Sequence, residues 1–478
     1  KMLAKLESIK SKYAAVKQSH VFKFFDALSQ TEKEALLTQL DEIDVEKVLS
    51  TYKLTIASAE ASKAALKPLP VTKLWNAPSE QRSKWQQRGL DLIQKGKVGF
   101  LLLAGGQGTR LGTSDPKGCY DIGLPSHKPL FQLVAERIRR LRSLAQADKP
   151  LPWYVMTSPM TDAATKDFFR ERGYFGLDAG DVVFFQQGTL PCISNEGDVL
   201  MESKSVVASA PDGNGGIYRA LEVSGALEDM RRRGLLAVHV SSVDNALVLP
   251  ADPLFVGYCE EAGADCGAKV VSKAGPDEAV GVLVCADSGA AAAGGKGNGG
   301  AQVVEYSEMD PAVAREVDAA TGELRFNAGN ICNHYYTVDF LALAASLSVP
   351  YHLARKKIPS VDEQGNTATP AANNGVKLEQ FIFDVFPHAT NFVCAEVLRE
   401  DEFAPVKNAP GAAADSPDTA RKLLLDLGRR YVEAAGGKVE GGGGVEVSPL
   451  VSFSGEGLAE LLAGTGGKVP ALSQLGQA

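Results

Sequence analysis

Apolar and polar positions follow three different rules along this 478-residue chain, and each rule predicts a different part of the fold. From residue 1 to 96 charged residues are interleaved with leucines at helical spacing. Ala35, Leu36, Leu37 and Leu40 form one apolar face, and Ser29-x-x-Glu32 ahead of them reads as a capping box. Pro68 and Pro70 interrupt this region, a further helix carries Trp85 and Leu92, and Gly96 is placed to end it. From 97 to 395 short apolar runs alternate with helical stretches: Val98 to Leu103, Leu130 to Leu144, Trp153 to Thr157, Thr165 to Arg172, Val182 to Gln186 and Ala237 to Ser242. A strand without polar alternation is covered on both faces, so this order predicts an α/β fold. Its centre is a mostly parallel, Rossmann-like sheet flanked by helices, with ligands at the carboxyl ends of the strands. From 396 to 478 the pattern changes again. A helix from Pro417 to Ala435, opened by Ser416 and closed by Gly436, precedes glycine-rich strand pieces, and Val445 to Phe453 alternates like an exposed sheet edge. The reading is a helical N-terminal domain (1–96), an α/β domain (97–395) and a separate C-terminal segment (396–478). The Ala/Gly-rich stretch 288–300 cannot bury much and reads as a mobile surface insertion.

Charge and composition narrow the functional classes. Fifty basic and fifty-eight acidic residues give a net charge of −8, which argues against a general binder of nucleic acid or of an anionic membrane. Attraction for phosphate therefore has to be local. The seven cysteines are scattered, with no Cys-x-x-Cys pair and no Cys/His cluster at zinc spacing, so they read as free thiols in a reducing compartment. No apolar run reaches the length of a membrane span, and the expectation is a cytoplasmic protein.

The local phosphate-binding chemistry lies directly after the first buried strand, in Leu103-Ala104-Gly105-Gly106-Gln107-Gly108-Thr109-Arg110-Leu111-Gly112, followed by Asp115-Pro116-Lys117-Gly118. Glycines let the main chain approach an anion and present its N–H groups. Two common phosphate motifs fail on spacing. A Walker A loop needs Gly-Lys-Ser/Thr five positions after its first glycine, where Arg110 or Leu111 stands; a dinucleotide fingerprint needs a third glycine where Leu111 stands. Arg110 offers a planar fork and Lys117 a point charge to phosphoryl oxygens. Asp244, at the end of the strand that finishes at Val243, is a carboxylate on the expected catalytic edge, suited to a magnesium ion that also binds phosphate oxygens and water. Asn245 reads as the residue that stabilises the turn.

The glycine loop resembles the signature of nucleotidyltransferases that join a nucleoside triphosphate to a sugar phosphate. More narrowly, the chain resembles the eukaryotic UDP-N-acetylglucosamine (UDP-N-acetylhexosamine) pyrophosphorylases of the UDP-sugar pyrophosphorylase family. The resemblance runs through Leu103 to Gly112, Asp115 to Tyr120, Phe184 to Gly188, Ala210-Pro211-Asp212-Gly213-Asn214-Gly215-Gly216 and Val243-Asp244-Asn245. It continues through Gly267 to Val271, Val303 to Glu308, Phe326 to Asn330, Asn374 to Glu379 and Leu398 to Phe403. It implies that 97–395 is a catalytic domain built on a nucleotidyltransferase sheet and 396–478 a small β-rich C-terminal domain, and it implies the conversion of UTP and N-acetylglucosamine 1-phosphate into UDP-GlcNAc and pyrophosphate by in-line displacement, with Mg2+ as cofactor. It also implies roles for residues. Leu103, Ala104, Gly105 and Gly106 face uracil and ribose; Arg110, Lys117, Lys377 and Lys407 handle phosphates; Asp244 holds the metal. Gln187 and Gly213 recognise uracil, while Asn214, Glu305 and Asn330 bind the N-acetylhexosamine. Lys377 lies on a segment that looks like the start of a helix.

Two other readings stay open: a broader UDP-sugar pyrophosphorylase acting on N-acetylgalactosamine or glucose 1-phosphate, and a silent UDP-sugar-binding protein. His239 and His334 read as structural, since no nucleophile pattern surrounds either. Cys119, beside the loop, predicts sensitivity to thiol reagents.

Overall fold

The computed structural model describes residues 2–58, 66–286, 300–464 and 466–476. The insertion predicted at 288–300, apart from Gly300, lies outside the described residues. Contacts divide the chain into two compact units. Unit 1 gathers residues 1–63, 187–220 and 347–384; unit 2 gathers 64–186, 221–346 and 385–478.

Unit 1 contains helices α1 (Met2–Ala15), α2 (Gln30–Glu42) and α3 (Val45–Ser58). The capping box forms as the sequence predicts: the Glu32 N–H donates to Ser29 Oγ at 3.4 Å and the Ser29 N–H donates to the Glu32 carboxylate at 2.8 Å. Leu36, Leu37 and Leu40 are buried, whereas Ala35 is exposed. The buried leucines share a hydrophobic cluster with Ile9, Tyr13, Val45, Ile193, Val199, Val376 and Leu378. The N-terminal helices thus pack on a three-stranded antiparallel sheet made of His352–Lys356, Gly375–Glu379 and Ile193–Ser194.

Unit 2 is built on an eleven-stranded sheet. Eight strands form its continuous path: β1 (Thr72–Lys73), β2 (Val98–Leu103), β3 (Trp153–Thr157), β4 (Val182–Gln186), β5 (Ala237–Ser242), β6 (Cys266–Ser272), β7 (Ala328–Thr337) and β8 (Phe392–Glu396), in the spatial order β1-β8-β6-β7-β5-β2-β3-β4. Every neighbouring pair is parallel except those made by β7, which runs antiparallel to both β5 and β6. All six residues of β2 and all five of β3 are buried, the signature of strands covered on both faces. Helices α4 (Ser79–Gln94), α5 (Leu130–Leu144) and α6 (Pro253–Glu261) supply the cover. Trp85, Phe131, Trp153, Phe169 and Phe255 fill one continuous core between them and the sheet. Gly96 ends α4 as predicted. It takes a left-handed φ of 65°, with its N–H on the Ile93 carbonyl and the Lys97 N–H on the Leu92 carbonyl.

Helix α7 (Pro417–Ala434) opens at Ser416, whose Oγ accepts the Thr419 N–H while the Thr419 hydroxyl accepts the Ser416 N–H. Beyond it, Lys438–Glu440 pairs with Lys468–Pro470 and Glu446–Val447 with Gln474–Leu475, both in parallel. The stretch 445–453 is therefore strand only at Glu446–Val447. Glu446 is buried, with its carboxylate on the Ser126 hydroxyl and N–H at 2.6 and 2.9 Å, which is why this edge does not read onto solvent.

Candidate functional site

Strand β2 delivers the glycine loop. The Ala104 N–H still belongs to the sheet, donating to the Met156 carbonyl at 2.8 Å, and the chain then leaves the ladder. The loop folds back on itself through the Gly108 N–H to the Asp115 carbonyl (2.9 Å) and the Lys117 N–H to the Gly106 carbonyl (3.1 Å). The Ser158 hydroxyl holds the Gly105 carbonyl at 2.8 Å. Two glycines here answer to different demands. A Cβ on Gly118 would stand 2.2 Å from the ring of Phe131, so packing requires that glycine; a Cβ on Gly106 would meet nothing within 4 Å. Glycine at 106 leaves main chain open for another molecule to approach.

The charged groups predicted to serve phosphate are neighbours. Burial lowers the pKa of the Lys117 ammonium, Asp244 pulls it back up, and the positive charges of Arg110 and Lys407 lower it further. One half-buried lysine thus lies in the fields of an aspartate, an arginine and a second lysine, four residues drawn from three stretches of chain. Asp244 sits in the turn after β5. Its carbonyl accepts the Val406 N–H at 2.9 Å, which fixes the segment carrying Lys407 beside it. Asn245 stabilises this turn, as its position predicts. Its Nδ2 donates to the Glu402 carbonyl at 2.7 Å, and its Oδ1 accepts the N–H groups of Ala404 (2.9 Å) and Leu247 (3.2 Å). From behind, the buried Arg137 guanidinium donates to the carbonyls of Ala246 and Val248 at 2.9 and 3.0 Å.

Glu305 and Asn330 belong to the same unit. The Asn330 N–H donates to the Gly281 carbonyl at 2.8 Å, and a Cβ on Gly281 would fall 2.9 Å from the Glu305 carboxylate. Strand β7 bulges between Asn330 and Asn333, and Cys332 in the bulge takes a left-handed φ of 51°. The Asn330 side-chain oxygen holds that bulge, accepting the Cys332 N–H at 3.1 Å and lying 3.2 Å from His334 Nε2. That oxygen is committed within the chain, so what Asn330 offers a ligand is its amide nitrogen. The Cys332 thiol, pushed up to about 12 by burial, lies in the fields of Asp244, Lys407 and Glu305, which ties Glu305 and Asn330 to the charged cluster.

The remaining predicted residues lie in unit 1. Gln187 is buried, and next to it the Gly188 carbonyl accepts the Asp212 N–H at 3.1 Å. Gly213 has φ 88° and ψ 172°, a conformation essentially reserved for glycine, and a Cβ there would lie 2.3 Å from the Gln380 carbonyl oxygen. Asn214 Oδ1 accepts the Ile382 N–H at 2.9 Å. Lys377 is not at the start of a helix. It sits in the middle of the strand Gly375–Glu379, paired opposite Ala354, because Val376 and Leu378 alternate into the cluster beneath α2 and α3 while Lys377 points the other way.

Five further side chains bear on these sites, and the motifs assign no role to two of them, Asp212 and Lys269. Asp212 is buried against Gly188 and Gly216, its Oδ1 has no hydrogen-bond partner, and burial pushes its carboxyl up to about 6. Lys269 on β6 is fully buried and paired with both Asp252 and Glu402. His239 and His334 are pushed down to about 4 and about 3 by burial, which makes both weakly basic and leaves neither with a positive charge at neutral pH. Cys119 departs from its predicted reactivity: burial first, then Asp115, pushes its thiol up to about 12, which suppresses the thiolate that reagents attack. Among the described residues no helix is long and apolar enough to cross a membrane.

A loop of open glycine main chain, two lysines, an arginine and a carboxylate at the carboxyl edge of an α/β sheet is the setting in which the comparisons with known proteins fall. The family model described as UTP–glucose-1-phosphate uridylyltransferase matches residues 46–452. The chain belongs to this family. Among relatives of the uridylyltransferase, UDP-N-acetylglucosamine diphosphorylase 1 of Arabidopsis thaliana is 46% identical over 467 residues, covering 94% of this chain and 89% of the relative. UDP-N-acetylhexosamine pyrophosphorylase-like protein 1 of Homo sapiens is 44% identical over 498 residues, covering 97% and 96%. The crystal structure of the uridine diphosphate N-acetylglucosamine pyrophosphorylase from Trypanosoma brucei, solved with an inhibitor, superposes with a TM-score of 0.82 at 32% identity and covers 98% of each chain. The fold built on the mostly parallel sheet is thus shared with that structure over almost the whole length of the chain.

Proposed function

We propose that this chain transfers the uridylyl group of UTP to N-acetylglucosamine 1-phosphate, giving UDP-GlcNAc and pyrophosphate. An oxygen of the sugar phosphate attacks the α-phosphorus of UTP; the new P–O bond forms as the bond from the α-phosphorus to the bridging oxygen breaks, and pyrophosphate leaves with the electron pair. The nucleophile is already an anion, so no general base is needed. What the protein has to supply is charge compensation and alignment. The observation that carries the reading is the meeting of Lys117, Arg110, Lys407 and Asp244 in one field beside open glycine main chain. The names of the Arabidopsis and human relatives support the acceptor as an N-acetylhexosamine phosphate.

Magnesium fits this donor set in one particular way. Among the described residues no three His, Cys, Asp or Glu side chains gather as a metal cage, and a lone Asp244 carboxylate suits a magnesium ion that arrives with nucleotide phosphates and keeps its waters. Bound there, the ion would neutralise charge building on the phosphates. Arg110, Lys117 and Lys407 provide the cationic part of the same compensation.

The test is coupled pyrophosphate release from UTP with N-acetylglucosamine 1-phosphate, N-acetylgalactosamine 1-phosphate and glucose 1-phosphate in turn. Release that is greatest with the first supports the reading; comparable release with all three makes the chain a broad UDP-sugar pyrophosphorylase. UTP binding with no release under any condition would make it a silent binder and overturn the proposal.

A further inference from the structure

Asp244 and Lys407 are fixed to each other by main-chain bonds, and one buried side chain secures both. The segment 402–407 is stitched to the Asp244 turn at three points: Asn245 Nδ2 on the Glu402 carbonyl, the Ala404 N–H on Asn245 Oδ1, and the Val406 N–H on the Asp244 carbonyl. Glu402 begins this segment, and its carboxylate ends on Lys269 Nζ in the interior. Lys269 also grips Asp252. The Asp252 N–H donates to His239 Nδ1 on β5 at 3.3 Å, and its carboxylate caps α6 through the Leu254 N–H at 3.0 Å. One ammonium on β6 therefore joins the strand that ends at the Asp244 turn, the helix that follows it and the segment that carries Lys407.

Stability alone does not account for this arrangement. Burying one cation and two carboxylates costs much of what their attraction returns, and apolar replacements of similar shape are often neutral or stabilising. What the cluster does here is join three elements through one ammonium, and in some proteins buried polar groups of this kind specify geometry. We propose that Lys269 is a positioning residue for uridylyl transfer, clamping Glu402 so that Asp244 and Lys407 are held at the spacing a magnesium-bound triphosphate requires. The proposal rests on the functional reading above.

The test compares the wild type with Lys269→Met and with Lys269→Met/Glu402→Gln. The double variant removes the clamp and leaves one buried carboxylate, Asp252, in place of two, that one still bonded to the Leu254 N–H at the helix cap, so this variant remains informative where the single one fails to fold. Folding is checked by circular dichroism and thermal unfolding. The binding readout is the affinity for Mn2+ in the presence of UTP, followed by electron paramagnetic resonance, together with kcat and KM for UTP. Loss of positioning weakens nucleotide-dependent Mn2+ binding and lowers kcat/KM about ten- to hundredfold, as outer-shell partners of metal sites do, in protein that remains folded. A merely structural role lowers the active fraction, leaving Mn2+ affinity and KM unchanged, and that result overturns the proposal. Absence of nucleotide-dependent Mn2+ binding in the wild type would overturn the metal reading and this proposal with it, whereas wild-type values in the folded double variant sink the proposal alone.

Discussion

Replacing Gly106 with alanine separates a glycine kept for the ligand from one kept for the fold. The Gly106 backbone is not left-handed, and an added Cβ meets nothing within 4 Å. Alanine in such a position stiffens the unfolded chain and stabilises the native state by about 0.4–1 kcal/mol, so the melting temperature should hold or rise. A triphosphate seated on this main chain would meet the new methyl and withdraw, losing charge-assisted N–H···O bonds worth about 1.5–3 kcal/mol each. Losing two, at the low end, gives about 3 kcal/mol, or roughly a hundredfold in kcat/KM for UTP. Gly118→Ala is the contrasting perturbation. Its Cβ would lie 2.2 Å from the buried Phe131 ring, an overpacking that costs about 1–3 kcal/mol and should lower the melting temperature. The assay is coupled pyrophosphate release across a range of UTP concentrations, with thermal unfolding of the same samples. A Gly106→Ala protein with wild-type kcat/KM, or one destabilised as much as Gly118→Ala, would refute the reasoning.

Three further outcomes follow from the sites. Lys117→Ala, which removes the cation coupled to Asp244, Arg110 and Lys407, should depress turnover on the order of a hundredfold; near-wild-type turnover removes it from the mechanism. Asp212, whose carboxyl is pushed up to about 6 by burial, keeps in the native state a proton that the unfolded chain has already lost between about pH 4 and 6. Native stability from this group therefore falls as pH rises through that window. Asp212→Asn should gain on the wild type by an amount that grows with pH, on the order of 3 kcal/mol above pH 6, and urea unfolding at pH 4 and 7.5 that shows a constant difference would contradict this. Cys119, with its thiol pushed up to about 12, should alkylate at least a hundredfold more slowly at neutral pH than a free thiol, as followed by mass spectrometry of the native protein; alkylation at the free-thiol rate would show that the thiolate is accessible.

Local grammar made much of the molecule legible. Ser29, Gly96 and Ser416 carry their caps and stops within three or four residues, and all three act as they read. The glycine loop and Asp244 were legible because each lies directly after a strand whose apolar run is unmistakable. Lys377 misled because Asn374-Gly375 resembles a helix start, yet Val376 and Leu378 alternate around it at a period of two, the signal of the strand that forms. The clamp of Lys269 was invisible for another reason: its partners stand at 252 and 402, and only the fold brings them together. The one local clue was a lysine inside the apolar strand Gly267 to Val271, which burial obliges to find a carboxylate. The bulge at Cys332 and the engagement of the Asn330 oxygen likewise depend on register with β6, which sequence spacing does not encode.

The cluster beneath the Lys377 strand unites Ile9 and Tyr13 with Val376 and Leu378. A ribosome adding about 5–20 residues per second therefore releases the first helices, which can pack on one another, roughly 20–70 s before Val376 and Leu378 exist to complete the cluster. This unit of the protein is obliged to finish late. A shortening at the N-terminal helices would accordingly loosen the packing beneath a lysine more than three hundred positions downstream.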